Sequence, residues 1–167
     1  NSTLSGNTAQ RGGGAYISDA GSTLTLNFST VTGNSASVTG GGVRLIADGA
    51  LVIRNSVLAG NGSADSADCA ITLSAGPFTS QGENLFGQSG SANGCGPLAG
   101  TDQTLAGVIG TVLSPSLTPA RAGVPAHALV RGGPAVDAIP LGANCALPAY
   151  DVRDQARPLD GDRNGTA

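Results

Sequence analysis

The sequence predicts an all-β protein of the right-handed parallel β-helix class, a solenoid with about 27 residues per coil and three short strands in each coil. Three observations support this fold. A six-residue pattern returns at a constant spacing of 27 residues, two other strand-like segments return at 27 or 28 residues, and no segment has the 3.6-residue period of an amphipathic helix. A core shared by stacked coils explains this pattern better than a helical arrangement.

The constant-spacing pattern begins at Ser2, Ser29 and Ser56, and a degenerate fourth copy begins at Glu83. Its apolar, turn and asparagine positions form three columns: Leu4, Val31, Leu58 and Leu85; Gly6, Gly33, Gly60 and Gly87; and Asn7, Asn34 and Asn61. Because the copies keep one register, we expect each column to stack along the solenoid axis. The asparagines are expected to hydrogen-bond between coils or to adopt left-handed backbone.

Two further segments complete the predicted coil. Residues 15–17, 43–45 and 71–73 align at a spacing of 28, and residues 24–26, 51–53 and 78–80 align at 27. This alignment places Val43 beside Ile71 and Leu51 beside Phe78. The one-residue difference is assigned to a turn, where insertions are well tolerated. Equivalent strands are then expected to stack in parallel at about 4.8 Å.

Glycine runs at residues 12–14 and 40–42 precede the same predicted strand in successive coils. They are expected to form tight corners that need positive φ or close backbone approach. Phosphate binding is the alternative interpretation. The runs lack the Lys-Ser/Thr of a P-loop, however, and they precede strands rather than helices, so the corner interpretation is favoured.

Composition narrows the function. The 167 residues are 40% hydrophobic but only 3% aromatic, which suits a narrow core of small aliphatic side chains. All eight basic residues are arginine, the formal net charge is −3, and there is no basic block, so no nucleic-acid partner is predicted. No apolar run approaches the ~18 residues that cross a bilayer, so no transmembrane segment is predicted.

The cysteines bear on the second half of the chain. Cys69 and Cys95 are 26 residues apart, close to one coil, so stacking would bring them within disulfide range and imply an oxidising compartment. Cys145 is left over, and it is either free or paired with a cysteine outside this chain. We divide the chain into regular coils, residues 1–88, and irregular last coils with a C-terminal cap, residues 89–167, in one domain.

The C-terminal part resembles a known family. Residues 84–90 (Asn-Leu-Phe-Gly-Gln-Ser-Gly), residues 127–138 (His-Ala-Leu-Val-Arg-Gly-Gly-Pro-Ala-Val-Asp-Ala), Cys145, residues 154–158 (Asp-Gln-Ala-Arg-Pro) and residues 160–162 (Asp-Gly-Asp) carry the likeness. They resemble the C-terminal module of bacterial β-helix surface proteins of the choice-of-anchor Q type, which are similar to polymorphic outer-membrane-protein repeats. The likeness covers roughly residue 55 to the end, but the Gly of the family's Asp-Gln-Arg-Gly element is missing.

This resemblance implies a bacterial surface protein. It also implies that Cys145 bonds to a cysteine of the family's final element, which would lie beyond Ala167. The chain is then expected to be a fragment at both ends.

One segment has the spacing of a metal site. Asp160, Asp162 and Asn164 are followed by Gly165, as in a Ca²⁺ loop, but the acid that would complete the loop falls past the end of the chain. A plain Asp/Asn/Gly turn is the simpler interpretation, and calcium is the only cofactor considered.

The remaining titratable residues suggest no catalytic residues. His127, the single histidine, has apolar neighbours and is expected to pack and hydrogen-bond in the cap. Four acids are interpreted as solvated turn residues: Asp19, Asp48, Asp65 and Asp68.

These observations favour a non-enzymatic structural, adhesion or scaffold module that contacts other surface proteins or glycans, located outside the cell or at the bacterial outer surface. The alternative is part of a carbohydrate-active β-helix enzyme, a polysaccharide lyase or hydrolase. Such enzymes need facing carboxylates or a carboxylate cluster with a basic residue, and scattered turn acids do not predict one.

Overall fold

A computed structural model describes residues 1–72, 76–87, 94–119, 123–140 and 150. Its parallel sheets stack as a β-solenoid of about three turns, which confirms the predicted fold class. The chain divides into two compact units, Leu4–Ala106 and Gly107–Ala167 together with Asn1–Thr3. The first unit contains the solenoid.

Each complete coil contains four strands. The first coil consists of β1 (Thr3–Ser5), β2 (Thr8–Arg11), β3 (Ala15–Ile17) and β4 (Thr23–Asn27). The second consists of β5 (Thr30–Thr32), β6 (Ser35–Thr39), β7 (Val43–Leu45) and β8 (Ala50–Arg54). The third consists of β9 (Val57–Leu58), β10 (Gly62–Asp65), β11 (Cys69–Ile71) and β12 (Phe78–Ser80), followed by β13 (Leu85–Phe86) and β14 (Gln103–Thr104).

Equivalent strands of successive coils form four parallel sheets. Sheet A has the order β1-β5-β9-β13-β14, sheet B is β2-β6-β10, sheet C is β3-β7-β11, and sheet D is β4-β8-β12. Parallel stacking therefore extends to β14, beyond the residues in which the sequence repeat is visible.

Sheet B was not predicted from the sequence. Its strands have few large apolar side chains, and the buried residues of β6 are the small Ala36 and Thr39, 3% and 5% exposed. A strand that buries only small side chains shows no apolar alternation, which is the signal used to recognise strands. Each coil therefore contains one strand more than the three that were predicted.

An extra residue in β6 explains the irregular spacing of sheet C. Paired positions Ala9 and Arg11 are two residues apart, whereas their partners Ala36 and Thr39 are three apart. Such a bulge inserts a residue into a strand while leaving its ends paired. The extra residue therefore lies inside a strand and not in a turn.

Because of this bulge, one strand register predicted for sheet C is wrong. Val43 pairs with Ala15 at the expected spacing of 28, but the next coil places Cys69, not Ile71, beside Val43. Ile71 instead pairs with Leu45. The error of two residues keeps Ile71 on its predicted face, because side chains alternate with a period of two. Residue 73 lies outside the described residues.

A second predicted register, in sheet A, is also wrong. Val31 pairs with Leu58 as predicted, but Leu58 then pairs with Phe86, and Leu85 pairs with Val57. Phe86, fully buried, therefore takes the apolar position predicted for Leu85. The spacing increases to 28 here because the corner before β13 contains one residue more.

The core is a set of stacked columns along the axis. Leu24, Leu51 and Phe78 align in sheet D as predicted. Phe78 and Phe86 meet with their ring centroids 6.1 Å apart. The buried apolar members are Ile17, Leu26, Val31, Val43, Leu45, Leu51, Ile53, Leu58, Cys69 and Phe86.

The second unit is built differently. A 3-10 turn at Ile109–Thr111 precedes an antiparallel pair, β15 (Leu113–Pro119) and β16 (Pro125–Leu129). Val112, Leu113 and Ala126 are its buried apolar residues among those described.

Candidate functional site

The predicted asparagine column is a hydrogen-bonded ladder. Nδ2 of Asn7 donates to Oδ1 of Asn34 over 2.9 Å, and Nδ2 of Asn34 donates to Oδ1 of Asn61 over 3.0 Å. The backbone amides of Asn7 and Asn34 donate to the same oxygens over 3.1 Å. Each rung thus satisfies a side chain and a backbone donor at once, which gives these residues a structural role.

The ladder ends on a buried carboxylate. Oδ1 of Asp68 accepts from the backbone amide of Asn61 over 3.0 Å and from its Nδ2 over 2.8 Å. Asp68 is 2% exposed, so its interpretation as a solvated turn residue is wrong. Burial raises the pKa of Asp68, and the two hydrogen bonds from Asn61 oppose that rise.

Gly87 makes room for this carboxylate. A Cβ at Gly87 would overlap Oδ2 of Asp68 and lie 3.0 Å from its carboxyl carbon. Gly6, Gly33 and Gly60 have the left-handed φ of the predicted turn column, at 70°, 64° and 73°, but Gly87 does not. Gly87 therefore does not have the predicted turn conformation, and a glycine is needed there because the Asp68 carboxylate packs against it.

A second polar ladder was not predicted. Oγ of Ser56 accepts from the amide of Ser29 over 3.0 Å, and Oδ1 of Asn84 accepts from the amide of Ser56 over 3.0 Å. Oδ1 of Asp102 accepts in turn from Nδ2 of Asn84 over 3.0 Å. Ser29 and Ser56 belong to the sequence repeat, but the residue type then changes to Asn84 and Asp102, so the repeat does not mark the whole column. Asp102, like Asp68, bonds one part of the solenoid to another.

Outward side chains meet at the corner between sheets B and C. Arg11, Thr39 and Asp65 stack at the end of sheet B, while Tyr16 and Arg44 stack in sheet C. We call these five residues the arginine corner. They form the one outward group in which we find an aromatic ring, cations and a carboxylate together among the described residues.

Glycines let the two columns of the arginine corner approach each other. Gly12 and Gly40 lie between the columns with φ of 62° and 68°. A Cβ at Gly12 would lie 2.8 Å from Cβ of Tyr16, and one at Gly40 would lie 3.1 Å from Cβ of Arg44. The floor of the corner is therefore bare backbone in the first two coils, which leaves space beside the larger side chains.

A chain of hydrogen bonds crosses the corner. Nη1 of Arg44 donates to Oγ1 of Thr39 over 3.3 Å, and that hydroxyl donates to Oδ2 of Asp65 over 3.4 Å. Thr39 is buried at 5% exposure, whereas Tyr16 is 45% exposed. Nε of Arg44 is buried without a hydrogen-bond partner among the described residues. Two hydrogen bonds therefore hold the Thr39 hydroxyl in place, and Arg44 keeps one donor, Nε, without a partner among the described residues.

This arrangement suits binding better than acid–base catalysis. Asp65 is the only carboxylate in the arginine corner, whereas glycoside hydrolysis requires two carboxyl groups on either side of the bond that breaks. Within the described ranges, no group of three or more His, Cys, Asp or Glu side chains could hold a metal ion. The arginine corner places an aromatic face, cationic donors and oxygen acceptors side by side.

The corner was not predicted from the sequence because its residues belong to different sheets. Tyr16 and Arg44 lie in a predicted segment, but their neighbours lie on strands of sheet B that were not predicted. A signal was nevertheless present: Arg11 precedes Tyr16 by five residues, and Thr39 precedes Arg44 by the same interval. Equal offsets in successive coils indicate two facing columns.

The other predicted residues have separate positions. Cys69 and Cys95 form the predicted disulfide, with their Cα atoms 5.1 Å apart. His127 lies half-buried in β16, where Nδ1 is 2.7 Å from the carbonyl oxygen of Ser114. Asp19 and Asp48 are exposed in turns. Four residues of the predictions lie outside the described residues: Cys145, Asp160, Asp162 and Asn164.

The fold and the site define the chain as a parallel β-solenoid with a polar outward corner. Comparison with protein-family models, with curated proteins and with solved structures finds no match. Among the residues described, no helix has both the length and the apolar character that crossing a bilayer requires.

Proposed function

We propose that this chain is a non-enzymatic extracellular module, a structural or adhesion scaffold that contacts proteins or glycans at a bacterial cell surface. The observation that carries the proposal is the contrast between its two kinds of polar residue. Asn34, Asn61 and Asn84 are buried and bond coil to coil, whereas Arg11, Tyr16 and Asp65 of the arginine corner are exposed. The first set supports a rigid rod, and the second supplies a contact surface.

Two observations support the extracellular location. The Cys69–Cys95 disulfide links residues about one coil apart, and such bonds persist in oxidising compartments. The C-terminal residues 127–138 resemble those of bacterial surface modules of the choice-of-anchor Q type. Membership of that family is part of the proposal.

The test is a binding and turnover measurement on the same ligands. The fluorescently labelled 167-residue chain is applied to a glycan array and to immobilised extracellular matrix proteins, and each bound glycan is then incubated with unlabelled chain. We expect saturable binding to one ligand class without release of new reducing ends. Absence of binding to every ligand on both surfaces would overturn the contact function.

The second candidate is part of a carbohydrate-active enzyme, a polysaccharide lyase or hydrolase. It is favoured by a specific juxtaposition, a carboxylate, Asp65, linked through Thr39 to an outward Arg44. Turnover of a bound glycan that disappears in Asp65→Asn, with binding retained, would establish this candidate and reject the non-enzymatic one.

A further inference from the structure

We propose that the arginine corner is a binding site for an acidic glycan, a saccharide chain that contains uronic acid residues. This inference rests on the proposed contact function and names its ligand class and its site. It assigns the ligand carboxylate to Arg44 and Arg11, a sugar ring to Tyr16, and sugar hydroxyls to Asp65.

The cations of the corner are available. Among the described residues, neither Arg11 nor Arg44 has a carboxylate within ion-pair distance, although the chain carries eleven acids and only eight arginines. Within the part of the chain that the structure describes, Nη1 of Arg44 bonds only to the neutral Thr39 hydroxyl, and its Nε has no partner. Guanidinium groups bind carboxylates through two parallel hydrogen bonds, and a buried donor without a partner is unfavourable. An anionic ligand that draws the Arg44 side chain outward would supply a carboxylate to its guanidinium group and a partner to its Nε.

The aromatic ring lies one coil from this cation. Tyr16 pairs with Arg44 in adjacent strands of sheet C, at the parallel-strand distance of about 4.8 Å. Tyr16 is 45% exposed, so much of its ring is accessible to a ligand. A tyrosine in that position presents an apolar face and a polar edge, which match the C–H face and the hydroxyls of a sugar ring.

The remaining groups favour a saccharide over other anions. Asp65 lies at the third coil of the same corner and is exposed, so it repels a ligand that carries a negative charge on every unit. It accepts hydrogen bonds from hydroxyl groups readily. Nucleic acids and polyacidic peptides are therefore disfavoured, whereas a uronic acid unit combines one carboxylate with several hydroxyls.

The residues of the arginine corner are arranged along the solenoid axis. Its residues come from three successive coils, Arg11 and Tyr16 from the first, Thr39 and Arg44 from the second, and Asp65 from the third. Consecutive coils are spaced by about 4.8 Å, so the different groups of the corner follow one another along the solenoid axis at the scale of a sugar unit. An extended saccharide is expected to lie along this axis.

The experiment uses a hyaluronan tetrasaccharide, in which glucuronic acid alternates with an uncharged amino sugar, and its methyl-esterified form as probes, with binding measured by isothermal titration calorimetry on the full chain. We expect the acid to bind about tenfold more tightly than the ester, because esterification removes the charge that Arg44 and Arg11 recognise. Arg44→Gln and Tyr16→Ala should each weaken binding of the acid by about tenfold. Arg54→Gln is the matched control, since Arg54 lies on sheet D, and its affinity should equal that of the unmodified chain. Thermal melting confirms that each variant is folded.

Several outcomes would overturn the inference. Equal affinity for acid and ester would remove the charge recognition, and unchanged affinity in Arg44→Gln would place the ligand elsewhere. If the hyaluronan tetrasaccharide does not bind, but a Glu-rich peptide binds and loses its binding in Arg44→Gln, the partner is a protein and not a glycan. If the array ligand binds Arg44→Gln and Tyr16→Ala normally, the contact function stands and this site fails. If nothing binds in either experiment, both proposals fail.

Discussion

Oδ1 of Asp68 accepts two hydrogen bonds from Asn61, and with them the ladder that begins at Asn7 ends on a carboxylate instead of a fourth asparagine. The second ladder ends in the same way, with Asp102 accepting from Asn84. A carboxylate can end the ladder because its oxygens accept the last two donors, the backbone amide and Nδ2 of Asn61. The consequence is a carboxylate that is buried next to the core.

The first prediction concerns Asp68→Asn, which keeps an oxygen for Asn61 and removes the buried charge. Since burial raises the pKa of Asp68, we expect the variant to melt about 2–4 °C higher at neutral pH, equivalent to about 1 kcal/mol. Differential scanning calorimetry measures the change. Asp48→Asn, at an exposed turn, is the control and should leave the melting temperature unchanged.

The pH dependence of the melting temperature, compared between the unmodified chain and Asp68→Asn, tests the raised pKa a second time. Because the folded state holds the Asp68 proton more tightly than the unfolded chain, the stability from the protonated group is complete below pH 3.8 and is lost as the pH rises through its raised folded pKa. The melting temperature of Asp68→Asn relative to the unmodified chain should therefore increase from acid to neutral pH. A difference that is constant or decreases would contradict a raised pKa.

The second prediction concerns Gly87→Ala. The added methyl group would overlap the Asp68 carboxylate and lie 3.1 Å from Cα of Ala59, so we expect a loss of about 1–3 kcal/mol in the free energy of unfolding. Urea denaturation measures it. Gly62→Ala is the matched control, because nothing lies within 4 Å of its added Cβ.

A double variant identifies the cause. In an Asp68→Ala background, Gly87→Ala should lose less free energy than in the unmodified chain, since the overlapping carboxylate is gone. Strict additivity of the two effects would show that Gly87 is required for another reason.

The third prediction compares two rungs of one ladder. Asn34 donates to Oδ1 of Asn61 and to the carbonyl of Leu4, and it accepts two bonds from Asn7. Asn34→Ala would remove these four bonds, although Oδ1 of Asn61 would keep the backbone amide of residue 34, and we expect a loss of about 1–3 kcal/mol for each buried group left unsatisfied. Asn7→Ala, at the exposed first rung, should cost distinctly less. Chemical denaturation of both variants tests this, and equal losses would argue against a cooperative ladder.

The fourth prediction concerns Ser66, which has a left-handed φ of 53° where the preceding coils have Gly12 and Gly40. Ser66→Gly should stabilise the chain by about 1 kcal/mol, because glycine adopts this backbone without strain. Ser66→Ala separates the backbone effect from the hydroxyl, which bonds to Oδ1 of Asp65. If the glycine and alanine variants have the same free energy of unfolding, the corner is not strained.

Much of the solenoid could be read from residue order because stacking makes its core periodic. Val31 and Leu58 pair at the predicted spacing, as do Leu24 and Leu51, since like residues must fill like positions in successive coils. The Cys69–Cys95 bond followed from the same rule. Where the coil length changed, the rule failed: Phe86 replaced Leu85, and Cys69 replaced Ile71 beside Val43.

The sequence by itself determined the fold class, the coil length and the asparagine ladder, because each depends on residues repeated within the core. Only the tertiary structure decided the positions of the bulge in β6, the burial of Asp68 and the composition of the arginine corner. The physical reason is that inward positions are constrained by identical neighbours above and below. Outward groups such as Arg44, Thr39 and Asp65 become neighbours only when the chain turns at Gly40 and brings two sheets together.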